Sequence, residues 1–226
     1  VARKTQPGKV PDAIRDETAL EGAITALRAC EPRLFGRLLN VCGTIPLRPR
    51  PADFNGLAWI IISQQVSTAS ADAIHARFSE RFPGAEPAAI LAASDGELRL
   101  CGLSGPKIRT LQALAKALAE GRLDLSALSA LPAQQAHAAL TAVHGIGPWT
   151  ADLFLLFCLG HPDAWPAGDL ALQEALRLAL RLAERPSARE IEARAERWRP
   201  WRGVAARVLW AWYRHAREHE RATSRA

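Results

Sequence analysis

Two stretches carry residues suited to more than building a core. The first is LTAVHGIGPWTADLFLLF, Leu140 to Phe157. Its pattern predicts an amphipathic helix ending in His144-Gly145-Ile146-Gly147, after which Pro148 opens a second helix. Gly145 and Gly147 tolerate positive φ and close backbone approach. Pro148 suits the first helical position, whose N–H would have no helical partner anyway. The N–H groups around Gly145, Gly147 and Thr150 then point out of a helix N-terminus, an arrangement that binds anions and fits a DNA phosphate. Ile146 would tuck inward and lock the two helices together. A lone G-I-G serves equally as a plain connector. Here the Leu/Val face before it, the Pro after it and Thr150 in the first turn favour a phosphate-gripping hairpin. The second feature is Asp169, at the head of DLALQEALRLAL. By pattern alone it is a helix N-cap, since Asp is preferred there and Leu170, Leu172, Leu176 and Leu180 mark an ordinary amphipathic helix behind it.

The elements that must position these residues are helices. Apolar residues recur at helical spacing in twelve short blocks, interrupted by Pro46 to Pro51, Pro83-Gly84, Gly102 to Pro106, Gly145 to Pro148, Gly160 to Gly168 and Pro186. Strand signals are nearly absent, so the fold class is all-α. The expected organisation is a disordered N-terminus over 1–15 and a central helical lobe over 54–164, with the hairpin at about 132–159. A second lobe combines 16–53 with 165–226, and a cleft lies between the two. A chain of 226 residues with 49% hydrophobic residues can build such a core. Its formal net charge of +6 favours an acidic partner such as nucleic acid. Cys30, Cys42, Cys101 and Cys158 form no C-x-x-C pair and read as buried thiols in a reducing compartment. VARKTQPGKVPD has no apolar run for a signal peptide, and no stretch is long enough to span a membrane. A cytoplasmic, monomeric protein is expected.

LTAVHGIGPWTAD, PAGDLALQ and ERWRPWRGVAARVLW together resemble the DNA-3-methyladenine glycosylase II (AlkA-like) branch of the helix-hairpin-helix DNA glycosylases. The resemblance covers roughly 50–215. It implies two helical lobes flanking a DNA-binding cleft, without the N-terminal β-rich domain of larger relatives. It also turns Asp169 from a cap into the catalytic carboxylate, because the superfamily places its catalytic Asp at this distance beyond the hairpin. Breaking an N-glycosidic bond develops oxocarbenium character on the sugar, and an anion beside C1′ stabilises it and orients the attacking water. Bifunctional relatives carry a Schiff-base lysine where this chain has Trp149, so the resemblance implies a monofunctional enzyme that leaves an abasic site. Trp149 and Trp210 match base-pocket positions and would stack on a flipped, cationic methylated base. Leu153 replaces an aromatic residue of the family, implying a wider pocket. Its substrates would be 3-methyladenine and 7-methylguanine, with room for 1-methyladenine and 3-methylcytosine. Trp59, Trp165 and Trp212 read as packing, and Trp198 with Trp201, at i and i+3, as a staple for the last helices.

Upstream, LAWIIISQQVSTASADAI resembles the family's Q-x-V-S segment. Relatives place an intercalating side chain at the position of Gln65, so Gln65, with Gln64 beside it, is the expected wedge that fills the gap left by the flipped nucleotide. A polar break between helices is the equal alternative on sequence alone. The superfamily hairpin also implies a Na+ or K+ ion held by the backbone carbonyls of Thr141, Val143 and Ile146; catalysis would need no cofactor. His215 and His219 are spaced i,i+4 but lack a third ligand. Lys107, Arg109 and Arg202 could reach phosphates, though each reads first as a solvated cation. Competing readings are a non-catalytic DNA-binding module and a glycosylase for uracil or mismatched thymine. Double-stranded DNA is the partner in every case.

Overall fold

Helix starts in this chain are set by local chemistry. Asp16, Asp53 and Ser67 accept hydrogen bonds from backbone N–H groups three residues on. Ser94 with Glu97 and Ser187 with Glu190 form complete capping boxes. Pro32, Pro87 and Pro148 occupy first turns, where no donor is lost. The computed structural model describes residues 12–223, with side chains to Glu218. The expected disorder at 1–11 and the side chain of His219 therefore lie outside the described residues. The described residues contain no strand, and the all-α expectation holds.

The helices are α1 (Glu17–Cys30), α2 (Pro32–Cys42), α3 (Phe54–Ser63), α4 (Thr68–Arg81), α5 (Pro87–Ala92), α6 (Asp95–Leu100) and α7 (Gly105–Ala119). They continue with α8 (Ala133–Thr141), α9 (Pro148–Leu153), α10 (Leu170–Leu180), α11 (Ala188–Ala195) and α12 (Arg202–Thr223). A π-helical turn, Phe154–Cys158, extends α9. The chain divides into two compact units, one of them Arg50–Leu159 and the other built from the segments ending at Pro49 and resuming at Gly160. These crossings differ slightly from the 53/54 and 164/165 boundaries expected from the helical pattern. Backbone bonds show why. Arg50 N–H donates to Phe157 O at 2.9 Å within one unit, and Ile14 N–H donates to Gly160 O at 2.7 Å within the other. Ile14, expected to fall in the disordered segment, is buried.

In the Arg50–Leu159 unit α3 is apolar on nearly every side, and Leu57, Ile60, Ile61 and Ile62 are fully buried. A helix of that kind belongs in a core. It packs against α4, α7 and the π-helical turn, while α7 also packs on α5 and α6. Cys158 is buried there, which pushes its thiol up to about 12 and leaves it inert. Trp59 is half-buried with the Arg50 guanidinium stacked 3.2 Å from its ring centroid, in keeping with a packing role.

The other unit is centred on Trp198, which is fully buried. Phe35 of α2 and Trp165 meet it edge-on, with ring centroids 5.2 and 5.7 Å away. Its indole N–H donates to Glu31 at 2.8 Å, and Glu31 also pairs with Arg194. Trp198 therefore does more than staple the last helices, because it joins them to α2 and to the segment around Trp165. Trp165 is buried as expected, and Trp212 is half-buried.

Candidate functional site

Candidate residues occur in both units. In the Arg50–Leu159 unit, α8 and α9 form the hairpin. Gly145 has φ +84°, and a Cβ there would stand 2.0 Å from Thr110 Oγ1 of α7. Only glycine satisfies both the backbone angle and that contact. Ile146 is buried, and its N–H donates to Val143 O at 3.1 Å, which turns the intervening loop tightly. His137 Nε2 of α8 lies 3.6 Å from Asp152 Oδ1 of α9. Gly147 is the N-cap of α9, so the first N–H groups of that helix, including that of Thr150, face the loop. The Thr150 side chain points elsewhere. It is 1% exposed, and its hydroxyl accepts a hydrogen bond from Gln64 Nε2 at 2.9 Å. Its contribution to an anion site is thus confined to its backbone.

Trp149 is half-buried and Leu153, one turn further on, is buried. Gln65 is exposed between α3 and α4 at φ +55°, a left-handed conformation uncommon outside glycine. The carbonyls of Thr141, Val143 and Ile146 lie at the end of α8 and in the loop behind it. They are neutral oxygens at and beyond a helix end, and Val143 O already accepts from Ile146 N–H at 3.1 Å. Neutral oxygens are the donor type that Na+ or K+ takes. Among the described residues no group of His, Cys, Asp and Glu could hold a metal ion.

In the other unit, Asp169 caps α10. Its Oδ1 accepts from Leu172 N–H at 2.7 Å and from Trp210 Nε1–H of α12 at 3.1 Å. Both side chains are half-buried. The carboxylate is therefore a cap, as the pattern suggested, and is also gripped by an indole. Trp210 was expected only as a stacking surface. The loop leading to Asp169 is fixed by Asp163. Its Oδ1 accepts from Arg202 N–H at 3.1 Å and from Arg202 Nε at 3.0 Å, and its Oδ2 accepts from Arg202 Nη2 at 2.9 Å. Arg199 Nη1 donates to the same Oδ2 at 2.6 Å. Asp163 thus holds the start of α12, the helix that carries Trp210. Gln173 Nε2 adds a bond to Ala167 O at 2.9 Å, just ahead of Asp169.

Residues 58–200 match the family described as HhH-GPD superfamily base excision DNA repair protein. The chain belongs to that family. It is 30% identical over 206 residues to DNA-3-methyladenine glycosylase 1 of Schizosaccharomyces pombe, covering 84% of this chain and 89% of that protein. It is 34% identical over 172 residues to the probable bifunctional transcriptional activator/DNA repair enzyme AlkA of Mycobacterium tuberculosis. That match covers 69% of this chain but spans only 32% of the relative's length. Among solved structures, S. pombe 3-methyladenine DNA glycosylase Mag1 in complex with abasic DNA superimposes with a TM-score of 0.78 at 28% identity. The superposition covers 83% of this chain and 94% of that one.

Within the HhH-GPD frame, three residues escaped sequence reasoning. Lys107 and Arg202, read as solvated cations, are buried: Lys107 Nζ donates to Ile62 O at 2.7 Å, and Arg202 pairs with Asp163. Lys107 had a signal, since helical spacing sets it on the face of Leu111 and Leu114. Asp163 had none, because its partners lie far along the chain.

Proposed function

We propose that this chain is a monofunctional DNA glycosylase that flips alkylated bases out of double-stranded DNA and hydrolyses their N-glycosidic bonds. The observation that carries the reading is the Asp169 carboxylate, fixed through Oδ1 by Leu172 N–H and Trp210 Nε1–H in an HhH-GPD chain. Held in that way, it can face C1′ without reorganising as positive charge grows there. The C1′–N bond breaks with its electron pair leaving on the base. Water then adds to C1′ and gives its proton to Asp169 or to solvent, leaving an abasic site and the free base. A methylated purine such as 3-methyladenine or 7-methylguanine is already cationic, so it leaves without strong protonation.

The net charge of +6 and the hairpin's helix N-terminus favour the phosphate backbone as the surface that is gripped. Trp149 supplies an indole face for the extruded base and Gln65 an exposed side chain for the gap it leaves. Leu153 in place of an aromatic ring makes 1-methyladenine and 3-methylcytosine further candidates. A Na+ or K+ ion on the carbonyls of Thr141, Val143 and Ile146 would neutralise the phosphate approached by the hairpin. Lyase chemistry needs an amine. The lysines among the described residues are Lys107, buried against Ile62 O, and Lys116, which is exposed and 3.8 Å from Glu120.

The test is a set of duplexes each bearing one lesion, incubated with protein and then heated in alkali. Breaks at alkylated bases are expected for the wild type and none for Asp169→Asn, which keeps a good N-cap. Bound DNA without breaks on any lesion would make the chain a binding module. Breaks only at uracil or mismatched thymine would change its substrate, and a borohydride-trapped adduct would contradict monofunctional chemistry.

A further inference from the structure

Gln65 stands exposed in a left-handed conformation, which crowds the Cβ of a non-glycine residue. Such a conformation persists only where its surroundings over-determine it. They do so here, residue by residue. At the end of α3, Ile60 O accepts from Ser63 Oγ at 2.7 Å, Ile61 O from Gln64 N–H at 3.3 Å, and Ile62 O from Lys107 Nζ at 2.7 Å. Three consecutive terminal carbonyls thus have three different donors, and the cation sits where the helix end is negative. Immediately before Gln65, the Gln64 amide donates to the Thr150 hydroxyl of α9 at 2.9 Å.

Lys107 has a second consequence through its own helix. One turn later on α7, Thr110 fills the space a side chain at Gly145 would need. A single stretch of α7 therefore touches both the turn that presents Gln65 and the glycine that shapes the hairpin. The Gln64–Thr150 bond closes the circuit from hairpin back to turn, and every member belongs to the one unit Arg50–Leu159. Burial also lowers the Lys107 pKa, the cost of placing an ammonium there, which is offset by the carbonyl it meets.

We propose that Lys107 and the Gln64–Thr150 bond are positioning elements that lock the Gln65 turn to the phosphate hairpin. Gripping the backbone then presents Gln65 to the base stack in a fixed register. The inference rests on the glycosylase reading. It assigns a role to a lysine that touches neither base nor phosphate.

The experiment compares single-turnover excision of one alkylated base in a fully paired duplex and in an unpaired bulge, where no base need be displaced. Lys107→Met removes the ammonium and keeps the chain length; Gln64→Met removes the amide. Each should lose at least about tenfold on the paired lesion and less than about threefold on the unpaired one. Adding Gln65→Ala to Lys107→Met should cost little more, because the two residues act as a unit. Equal losses on both substrates, no loss on either, or additive effects of Gln65→Ala and Lys107→Met would overturn the proposal. Thermal melting identifies a variant that fails to fold, in which case Gln64→Met carries the comparison. If the wild type excises no lesion, the glycosylase reading fails by itself. Fluorescence of 2-aminopurine beside an abasic analogue then still decides the positioning role: it should rise on binding the wild type and not on binding Lys107→Met. An equal rise with both proteins would refute it.

Discussion

Trp210→Phe takes away the indole N–H that Asp169 Oδ1 accepts at 3.1 Å and keeps an aromatic ring on α12. Leu172 N–H still holds the same oxygen at 2.7 Å, so the carboxylate remains a cap but loses the bond from the Trp210 indole. A hydrogen bond to a charged group contributes about 1.5–3 kcal/mol. Both residues here are half-buried, so water can replace the lost donor, and the lower end applies. A loss of about 1–1.5 kcal/mol in the transition state corresponds to a fall in kcat of about five- to thirteenfold. Because a ring face remains, KM should change by less than about twofold. The assay is steady-state excision from a duplex carrying one methylated purine, scored by alkali cleavage, with a thermal melt to verify folding. If KM rises while kcat stays at the wild-type value, Trp210 is a wall for the base and not a hold on the carboxylate, and the reasoning fails.

Asp163→Ala should destabilise the protein by about 1–3 kcal/mol in a urea titration, because Nε and Nη2 of Arg202 lose their acceptor while Glu192 and Glu196 keep Nη1. A loss below about 1 kcal/mol would mean that Glu192 and Glu196 suffice for Arg202. Gly145→Ala combines a left-handed backbone with a Cβ 2.0 Å from Thr110 Oγ1. It should cost about 2–4 kcal/mol and weaken binding to undamaged duplex; wild-type affinity and stability together would contradict the hairpin geometry. His75 and His161 have pKa values lowered, chiefly by burial, from the ordinary histidine value of about 6.5. The unfolded chain therefore takes up protons first as pH falls, so their contribution is complete above about pH 6.5 and is lost as pH drops through the folded values. Urea midpoints at pH 7.5 and 5.5 should show that slope in the wild type and a shallower one in the His75→Gln/His161→Gln double variant.

Much of the architecture was legible because it rests on interactions between near neighbours. Ser94 and Glu97, Ser187 and Glu190, and Pro148 at the head of α9 announce helix starts from within a single turn. The hairpin glycines and the cap at Asp169 belong to the same class. The π-helical turn at Phe154–Cys158 left no mark on the pattern, since FLLFC is apolar throughout and its spacing suits an α-helix equally well.

The helices, their caps and the tight turn between α8 and α9 can therefore be read from neighbouring residues. Which polar groups are buried, and against what, depends on contacts made in the folded chain. Lys107 meets a carbonyl 45 residues away, Arg202 a carboxylate 39 residues away and Trp210 a carboxylate 41 residues away. A cation or an indole looks the same in a sequence whether it faces water or a buried oxygen. The difference arises when packing removes the water and leaves that oxygen as the available partner.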